Sequence, residues 1–345
     1  MIIKDFVSFN PKGRKPTDYV NYIDTSSVED GKLIDIQCLS ENIPSRAQRV
    51  IEKGDILISS VRPILKHNYY VSQHIENGIA STGFIQIRAD RSKVIPQYLY
   101  YFLTEENKVK MYQTIAETSQ STFPSFNKDV IENMTFPDVS LAEQQHIVDI
   151  LGTLDDKIEN LEQKIQILLK ICELDYKVLI SGKSCNACLS DIASVESGKR
   201  PITKESILSN TINIPIIGAS DVMGYTDNVL FDEPILVIGR VGTHGIVQPI
   251  FKRCWASDNT LVIKSEYYAY AYNILKNIDY SSINKGSTQP LITQTDIRNT
   301  PVYVPDLNEL LAFENKHSMF LIQTYKDQIE KTKDIKNIFL QKFFG

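Results

Sequence analysis

At 345 residues, with 42% apolar and 23% charged side chains and ordinary Gly and Pro content, the chain has the composition of a folded globular protein and the length of two domains. No apolar run approaches the roughly 20 residues that span a bilayer, the first residues lack a secretory leader pattern, and five scattered cysteines make no disulfide framework, so a cytoplasmic, reduced protein without membrane contact is expected. The net charge of -5 excludes a strongly basic nucleic-acid binder, and the acidity is concentrated in residues 141–182, with four basic and eight acidic groups.

In chain order, β-branched runs at 55–59 and 84–87 predict short strands, and an aromatic and aliphatic stretch at 97–104 predicts a helix. Pro137 then breaks the chain, Ser140 offers an N-cap with Glu143 three positions on, and a long helix follows. Its apolar residues recur at 4,3 spacing through Ile147, Leu151, Leu154, Ile158, Leu161, Ile165, Leu168 and Cys172, the pattern of a coiled-coil seam. Ser181-Gly182 marks its end, and about 40 residues at roughly 1.5 Å each give a rod on the order of 60 Å. Strands at 235–238 and 260–263 and a helix at 267–277 come next. A final helix over 310–344, with Leu311, Ile322, Tyr325, Ile329, Ile335, Ile338 and Phe339 on a looser stripe, is the natural antiparallel partner of the first.

The chain repeats itself. Gly54-Asp55-Ile56-Leu57-Ile58-Ser59-Ser60-Val61-Arg62 matches Glu233-Pro234-Ile235-Leu236-Val237-Ile238-Gly239-Arg240, and Ala80-Ser81-Thr82-Gly83-Phe84 matches Ala256-Ser257-Asp258-Asn259-Thr260. Ser121-Thr122-Phe123-Pro124 and Asp129-Val130-Ile131 are echoed by Ser287-Thr288-Gln289-Pro290 and Asp296-Ile297-Arg298, and Phe136-Pro137-Asp138 by Val304-Pro305-Asp306. The order is preserved, and a long helix follows each block. The expected architecture is mixed α/β: two α+β domains, residues 1–139 and 183–306, separated and joined by two long antiparallel coiled-coil helices, residues 140–182 and 307–345, in a pseudo-twofold repeat.

The run Pro137-Asp138-Val139-Ser140-Leu141-Ala142-Glu143-Gln144-Gln145-His146-Ile147, followed by Leu154-Asp155-Asp156-Lys157-Ile158, resembles the central conserved region of the specificity subunit of type I restriction-modification enzymes. Asp138 stands where that pattern has a second proline, and the second copy, Pro305-Asp306-Leu307-Asn308-Glu309-Leu310-Leu311-Ala312-Phe313-Glu314-Asn315, has Asn315 where the glutamine is expected. The run from Gly239 to Gly245 is similar to a loop frequent in the family's recognition domains, with Ser59-Ser60-Val61-Arg62-Pro63 as its counterpart. The resemblance implies a non-catalytic chain that reads one half of a split target in double-stranded DNA with each domain. It also implies docking of two methyltransferase subunits on the helices, with restriction and translocase subunits recruited to the complex. S-adenosylmethionine would sit in the methyltransferase partner, and this chain would bind no cofactor of its own. The docking and spacer residues are then Glu143, Gln144, Ile147, Leu151, Leu154, Ile158, Leu161, Ile165, Leu168, Ile322, Tyr325 and Ile329.

Base readout needs Arg or Lys for guanine and Asn or Gln for adenine on loops that fit the groove. The strand-ending loops offer Arg62, Lys66 and His67 in the first half and Arg240, Thr243 and His244 in the second. Ser119, Gln120 and Ser121 form a matching polar set with Lys285, Ser287 and Gln289, while Lys199-Arg200 and Lys252-Arg253 suit phosphates. Each such residue also fits a solvated loop. Enzymatic motifs fail: Asn10-Pro11-Lys12 lacks the Pro-Pro-aromatic continuation of an adenine methyltransferase, and Glu162-Gln163-Lys164 sits on the outer side of the coiled-coil helix. Cys185 and Cys188 have no second ligand pair, so no metal is expected, and Ser197-Gly198-Lys199 lacks the first glycine of a P-loop. A coiled-coil adaptor that reads no sequence is the alternative from another class.

Overall fold

The computed structural model describes residues 1–345 except 14, 15, 17, 119–123, 210, 242–244 and 284–290. Its helices are α1 (Pro96–Thr104), α2 (Glu106–Glu117), α3 (Asp129–Glu132), α4 (Leu141–Ile180), α5 (Tyr268–Asn277), α6 (Tyr280–Ile283), α7 (Gln294–Arg298), α8 (Leu307–Lys316) and α9 (Met319–Phe344). The chain folds as two compact units: Met1–Ile158 with Lys331–Gly345, and Glu159–Glu330. Each unit takes one part of α4 and one part of α9.

In the first unit an antiparallel sheet runs in the order Val7–Phe9, Phe84–Ala89, Ile56–Ser59, Tyr69–Tyr70. Its central strand is buried on both faces, so it reads as an unbroken apolar run. Ile56 and Ile58 pack toward α1, α3 and the ends of α4 and α9, with Tyr98, Phe102, Ile131, Leu151 and Phe344. Leu57 points the other way, to Ile23, Val28, Val71 and Phe84. A second sheet, ordered Gln37–Leu39, Val20–Ile23, Gly78–Ser81, Ala47–Val50, contains one parallel pair, Tyr22 opposite Ile79.

The second unit repeats this plan. Its antiparallel sheet is Ser194–Ser197, Thr260–Lys264, Ile235–Gly239, Val247–Ile250, and its smaller sheet is Val222–Thr226, Ile214–Ile217, Trp255–Ala256, again with one parallel pair. Leu236 and Ile238 face α5, α8 and α4, while Ile235 and Val237 face Ile217, Cys254 and Ala256.

The backbone ladder sets the repeat register, and it corrects the sequence alignment at one place. Ser60 N–H donates to the Gly83 carbonyl and the Ser60 carbonyl accepts from Phe126; Arg240 N–H donates to Asn259 and its carbonyl accepts from Ile292. Val61 bridges Ser125 as Val241 bridges Leu291. Arg240 therefore occupies the place of Ser60, not of Arg62. Matching by residue type had slid the two arginines together, whereas a ladder admits no slip without turning side chains to the opposite face.

The predicted seam of α4 is the buried edge: Ile147, Leu151, Ile158, Leu161, Ile165 and Cys172 are all under 8% exposed, with Leu154 and Leu168 half-buried. Ser140 caps the helix by accepting from Glu143 N–H at 3.3 Å, and Gly182, at φ +71°, ends it in the left-handed region. The single C-terminal helix expected over 310–344 is interrupted at His317 and Ser318. Leu310 and Phe313 before the break and Met319 and Ile322 after it all enter the same core, and the non-helical His317 (φ -115°, ψ 59°) resets the helix phase so that both segments keep an apolar edge inward.

Two side chains join the helices that follow each domain, α4 and α8, to the domains. Gln144 is fully buried; its Oε1 accepts from the N–H of Ile95, the residue before α1, at 2.9 Å, and its amide donates to the Val139 carbonyl. In the second unit Glu314 accepts from Ala269 and Tyr270 N–H at 3.0 and 2.7 Å, at the start of α5. Glu314, and not Asn315, is the counterpart of Gln144. Burial pushes the Glu314 carboxyl above its ordinary value, against the lowering effect of the α5 amides. The native state thus holds this proton more tightly than the unfolded chain; the resulting stabilisation is complete below the ordinary glutamate range and is lost as pH rises through the raised value. Replacing Glu314 by Gln should keep one of the two acceptors and flatten this pH dependence of the unfolding midpoint, whereas Glu314→Ala should cost about 1–2 kcal/mol in denaturant titration.

Candidate DNA interface

In the first unit the chain leaving strand Ile56–Ser59 makes a constrained loop over residues 60–66. Ser60 N–H and Oγ both donate to the Gly83 carbonyl at 2.9 Å. Arg62 (φ 47°) and Lys66 (φ 53°) are both left-handed, flanking the 3-10 turn Pro63–Leu65, a conformation that costs a residue bearing a Cβ on the order of 1 kcal/mol. The surroundings impose it. Arg62 N–H donates to Pro124, Ile64 N–H to Gln113 Oε1 of α2 at 3.1 Å, and the buried Asn68 accepts from Ser59 N–H at 3.0 Å. Arg62, Ile64, Leu65 and Lys66 are exposed and His67 half-buried, so a charged and apolar tip stands on a rigid base, the arrangement a groove reader requires.

At the other end of the same strand a polar side chain is buried. Asp55, 1% exposed, accepts from Glu52 N–H, Gln86 Nε2 and both Nε and Nη2 of Arg88, at 2.7–2.8 Å. Sequence reading passed over it because Asp55 looks like an ordinary turn residue before a strand; only its pairing across the sheet with Arg88 reveals it.

In the second unit Arg240 is half-buried, and its Nε lies out of solvent with no hydrogen-bond acceptor among the described residues. Lys199 and Arg200 are exposed and sit on a shelf made by the domain's own backbone. Lys199 N–H donates to the Ala256 carbonyl and the Lys199 carbonyl accepts from Trp255 Nε1 at 2.6 Å. The chain approaches so closely that a Cβ on Gly198 would lie 2.1 Å from the Ser257 oxygen, so the Ser-Gly-Lys run marks strand packing and not a phosphate loop.

Lys252 and Arg253, expected at phosphates, are engaged elsewhere. Lys252 pairs with Asp327 at 2.8 Å and Glu330 at 3.2 Å on α9, and the hydrogen bond to Asp327 holds its ammonium above the ordinary value. Arg253 pairs with Asp232 at 2.9 Å. The candidates Ser119, Gln120, Ser121, Thr243, His244, Lys285, Ser287 and Gln289 lie outside the described residues.

The helix residues expected to dock partners divide by burial. Gln144, Ile147, Leu151, Ile158, Leu161, Ile165 and Ile322 are buried; Ile147 and Leu151 belong to the core of the first unit and Ile165 and Ile322 to that of the second, and Tyr325 and Ile329 pack against the latter. The fully buried ones are not available to a partner in this fold. Glu143 is exposed, and the outer edge of α4 carries Ile167, Ile171, Leu174 and Val178, each at least 43% exposed. Among the described residues no three His, Cys, Asp or Glu side chains cluster to hold a metal, and no helix is long and apolar enough to cross a membrane.

Comparison with known proteins agrees with this geometry. The model of the type I restriction modification DNA specificity domain matches residues 4–170 and again 184–338. The chain is 30% identical over 197 residues to the HindI type I restriction enzyme specificity subunit of Haemophilus influenzae, a match covering 53% of this chain and 43% of that one. It is 25% identical to the MjaIX specificity subunit of Methanocaldococcus jannaschii, over 86% of this chain and 78% of that one. The crystal structure of a type I restriction-modification S subunit from M. genitalium superposes with a TM-score of 0.60 at 14% identity, covering 100% and 95% of the two chains, a likeness of fold.

The shelf is testable because Trp255 is the sole tryptophan. Gly198→Ala should shift its emission to the red and lower the melting temperature, since the new methyl group must push the Lys199 backbone off Trp255; unchanged emission would mean that the shelf yields without cost.

Proposed function

Because the chain belongs to the type I restriction-modification DNA specificity family, we propose that each of its two units reads one half of a split double-stranded target and that the chain addresses the chemistry of partner subunits to that site. The observation that carries this reading is the register-true repeat: two units with the same four-stranded antiparallel sheet and a second sheet with one parallel pair, each with the same bridge from the end of a central strand to a later segment. A protein that assembles through its helices alone has no need of two such rigid platforms.

In this reading the loop at residues 60–66 enters the major groove with Arg62 at base edges and Arg240 serves the other half-site, while Lys199 and Arg200 take phosphates. Adenine methylation is carried out by two methyltransferase subunits, which hold S-adenosylmethionine, and cleavage by restriction subunits; this chain supplies no reacting group. The exposed apolar edge of α4 suits the methyltransferase, whose own charge offsets the deficit of this one. The helices α4 and α9, which both pass from one unit to the other, set the length of the unread spacer.

Methylation mapping by single-molecule sequencing, in a host expressing this chain with its methyltransferase and no other such system, should find one split adenine-methylated sequence; scattered or absent modification would overturn the reading. Arg240→Ala should relax the half-site read by the second unit and leave the other intact. Insertion of four residues in both helices, after Ile158 and after Glu330, lengthens each by roughly 6 Å and should lengthen the spacer by about two base pairs while both half-site sequences persist.

A further inference from the structure

The loop at residues 60–66 carries two large aliphatic side chains at its tip, where a solvated turn ordinarily carries polar ones. Ile64 is 50% and Leu65 48% exposed, and neither belongs to a hydrophobic core of the first unit. The turn is anchored instead by Pro63, its buried residue. Half of each aliphatic side chain thus faces solvent, and the core of the unit is closed without them.

What this tip can offer a base follows from its hydrogen bonds. Arg62 N–H donates to the Pro124 carbonyl, Ile64 N–H to Gln113 Oε1, Leu65 N–H to the Arg62 carbonyl and Lys66 N–H to the Pro63 carbonyl, all at 2.9–3.1 Å. Pro63 has no N–H. Every main-chain donor from residue 62 to residue 66 is therefore engaged inside the protein, and Ile64 and Leu65 meet a ligand through aliphatic surface. The left-handed backbone at Arg62 and Lys66 brackets the pair, and Ile64 is branched at Cβ, so little conformational freedom is left to lose on contact. Base edges in the major groove present hydrogen-bond donors and acceptors with one apolar group among them, the C5 methyl of thymine, and the minor groove presents none. An aliphatic tip that enters the major groove has one complement there.

We propose that Ile64 and Leu65 recognise a thymine through its C5 methyl group, so that the half-site of the first unit holds a thymine read by apolar contact beside the bases read by hydrogen bonds. The inference rests on the DNA-recognition reading above and adds to it the chemical identity of one base. In the second unit Val241 takes the place of Val61, and the residues that follow it in sequence, Gly242, Thr243, His244 and Gly245, contain no aliphatic pair. The methyl contact therefore belongs to the first half-site, and the second serves as its control.

The test uses the full chain in complex with its methyltransferase and duplexes of the mapped target in which single thymines are replaced by 2′-deoxyuridine, which removes the methyl group and leaves the hydrogen-bonding edge unchanged. The half-site of the first unit is the one that Arg240→Ala leaves intact. In fluorescence anisotropy, deoxyuridine at one or two positions of that half-site should weaken binding about three- to fivefold, the effect of one buried methyl group. The Ile64→Ala, Leu65→Ala variant should bind the thymine duplex more weakly by a similar factor and no longer distinguish it from the deoxyuridine duplex, while its response to deoxyuridine in the other half-site stays that of the wild type. Ile64→Val alone should keep the distinction. A complex that prefers its target yet binds every deoxyuridine duplex as well as the thymine one would overturn the methyl contact and leave the recognition reading standing. So would a deoxyuridine penalty undiminished in the Ala variant, which assigns the methyl to another side chain. An Ala variant weakened equally on all duplexes, target or not, would also overturn it and make the tip a wedge between base steps or a support for the fold. A complex with no preferred sequence would overturn the recognition reading and this inference with it.

Discussion

A helix that begins inside a core exposes amide groups that water cannot reach, and each must find an acceptor. Both recognition units meet this constraint at the same place, where α1 and α5 start against helices α4 and α8, and both meet it with one side chain reaching from the neighbouring helix: Gln144 in the first unit and Glu314 in the second. Neither α1 nor α5 caps itself with a side chain. The consequence is mechanical: the start of α1 forms one hydrogen-bonded body with the long helix α4, and the start of α5 one with the short helix α8, so the sheets that pack on α1 and α5 are tied to those helices.

The candidate recognition loop at residues 60–66 depends on that rigidity. A strand buried on both faces, Ile56–Ser59 in one unit and Ile235–Gly239 in the other, cannot rotate without opening two cores at once. The loop that continues it is therefore held where a free peptide would not stay, with Arg62 and Lys66 in left-handed backbone. Strain of this kind persists when surrounding contacts determine the fold around it, and it fixes exposed side chains without help from a ligand. The buried Asp55, gripped by Gln86 and Arg88, adds a polar lock whose rupture would leave an uncompensated charge inside the domain.

The near neutrality of each half matters for how a DNA surface is assembled. Some basic groups are held by acidic neighbours, as Lys252 is by Asp327 and Glu330 and Arg253 by Asp232. Exposed pairs of this kind contribute little to stability and chiefly remove positive charge from the local field. Location and not total charge therefore governs where phosphate is attracted.

The sequence alone determined the broad plan: two α+β halves, a coiled-coil seam from Ile147 to Cys172, the Ser140 cap and the Gly182 stop, because period, capping and turn chemistry are local properties that neighbours along the chain express. It also marked the signature that places the chain in its family. Only the tertiary structure decided which residues are equivalent and which are available. Arg240 took the place of Ser60, Glu314 the role first assigned to Asn315, and Gln144 and Ile147 went inside, because hydrogen-bond ladders and burial compare residues that are far apart in sequence. The break at His317, the Asp55 lock and the hold of Gln113 on the loop at Ile64 are likewise long-range, set by packing that no stretch of sequence encodes by itself.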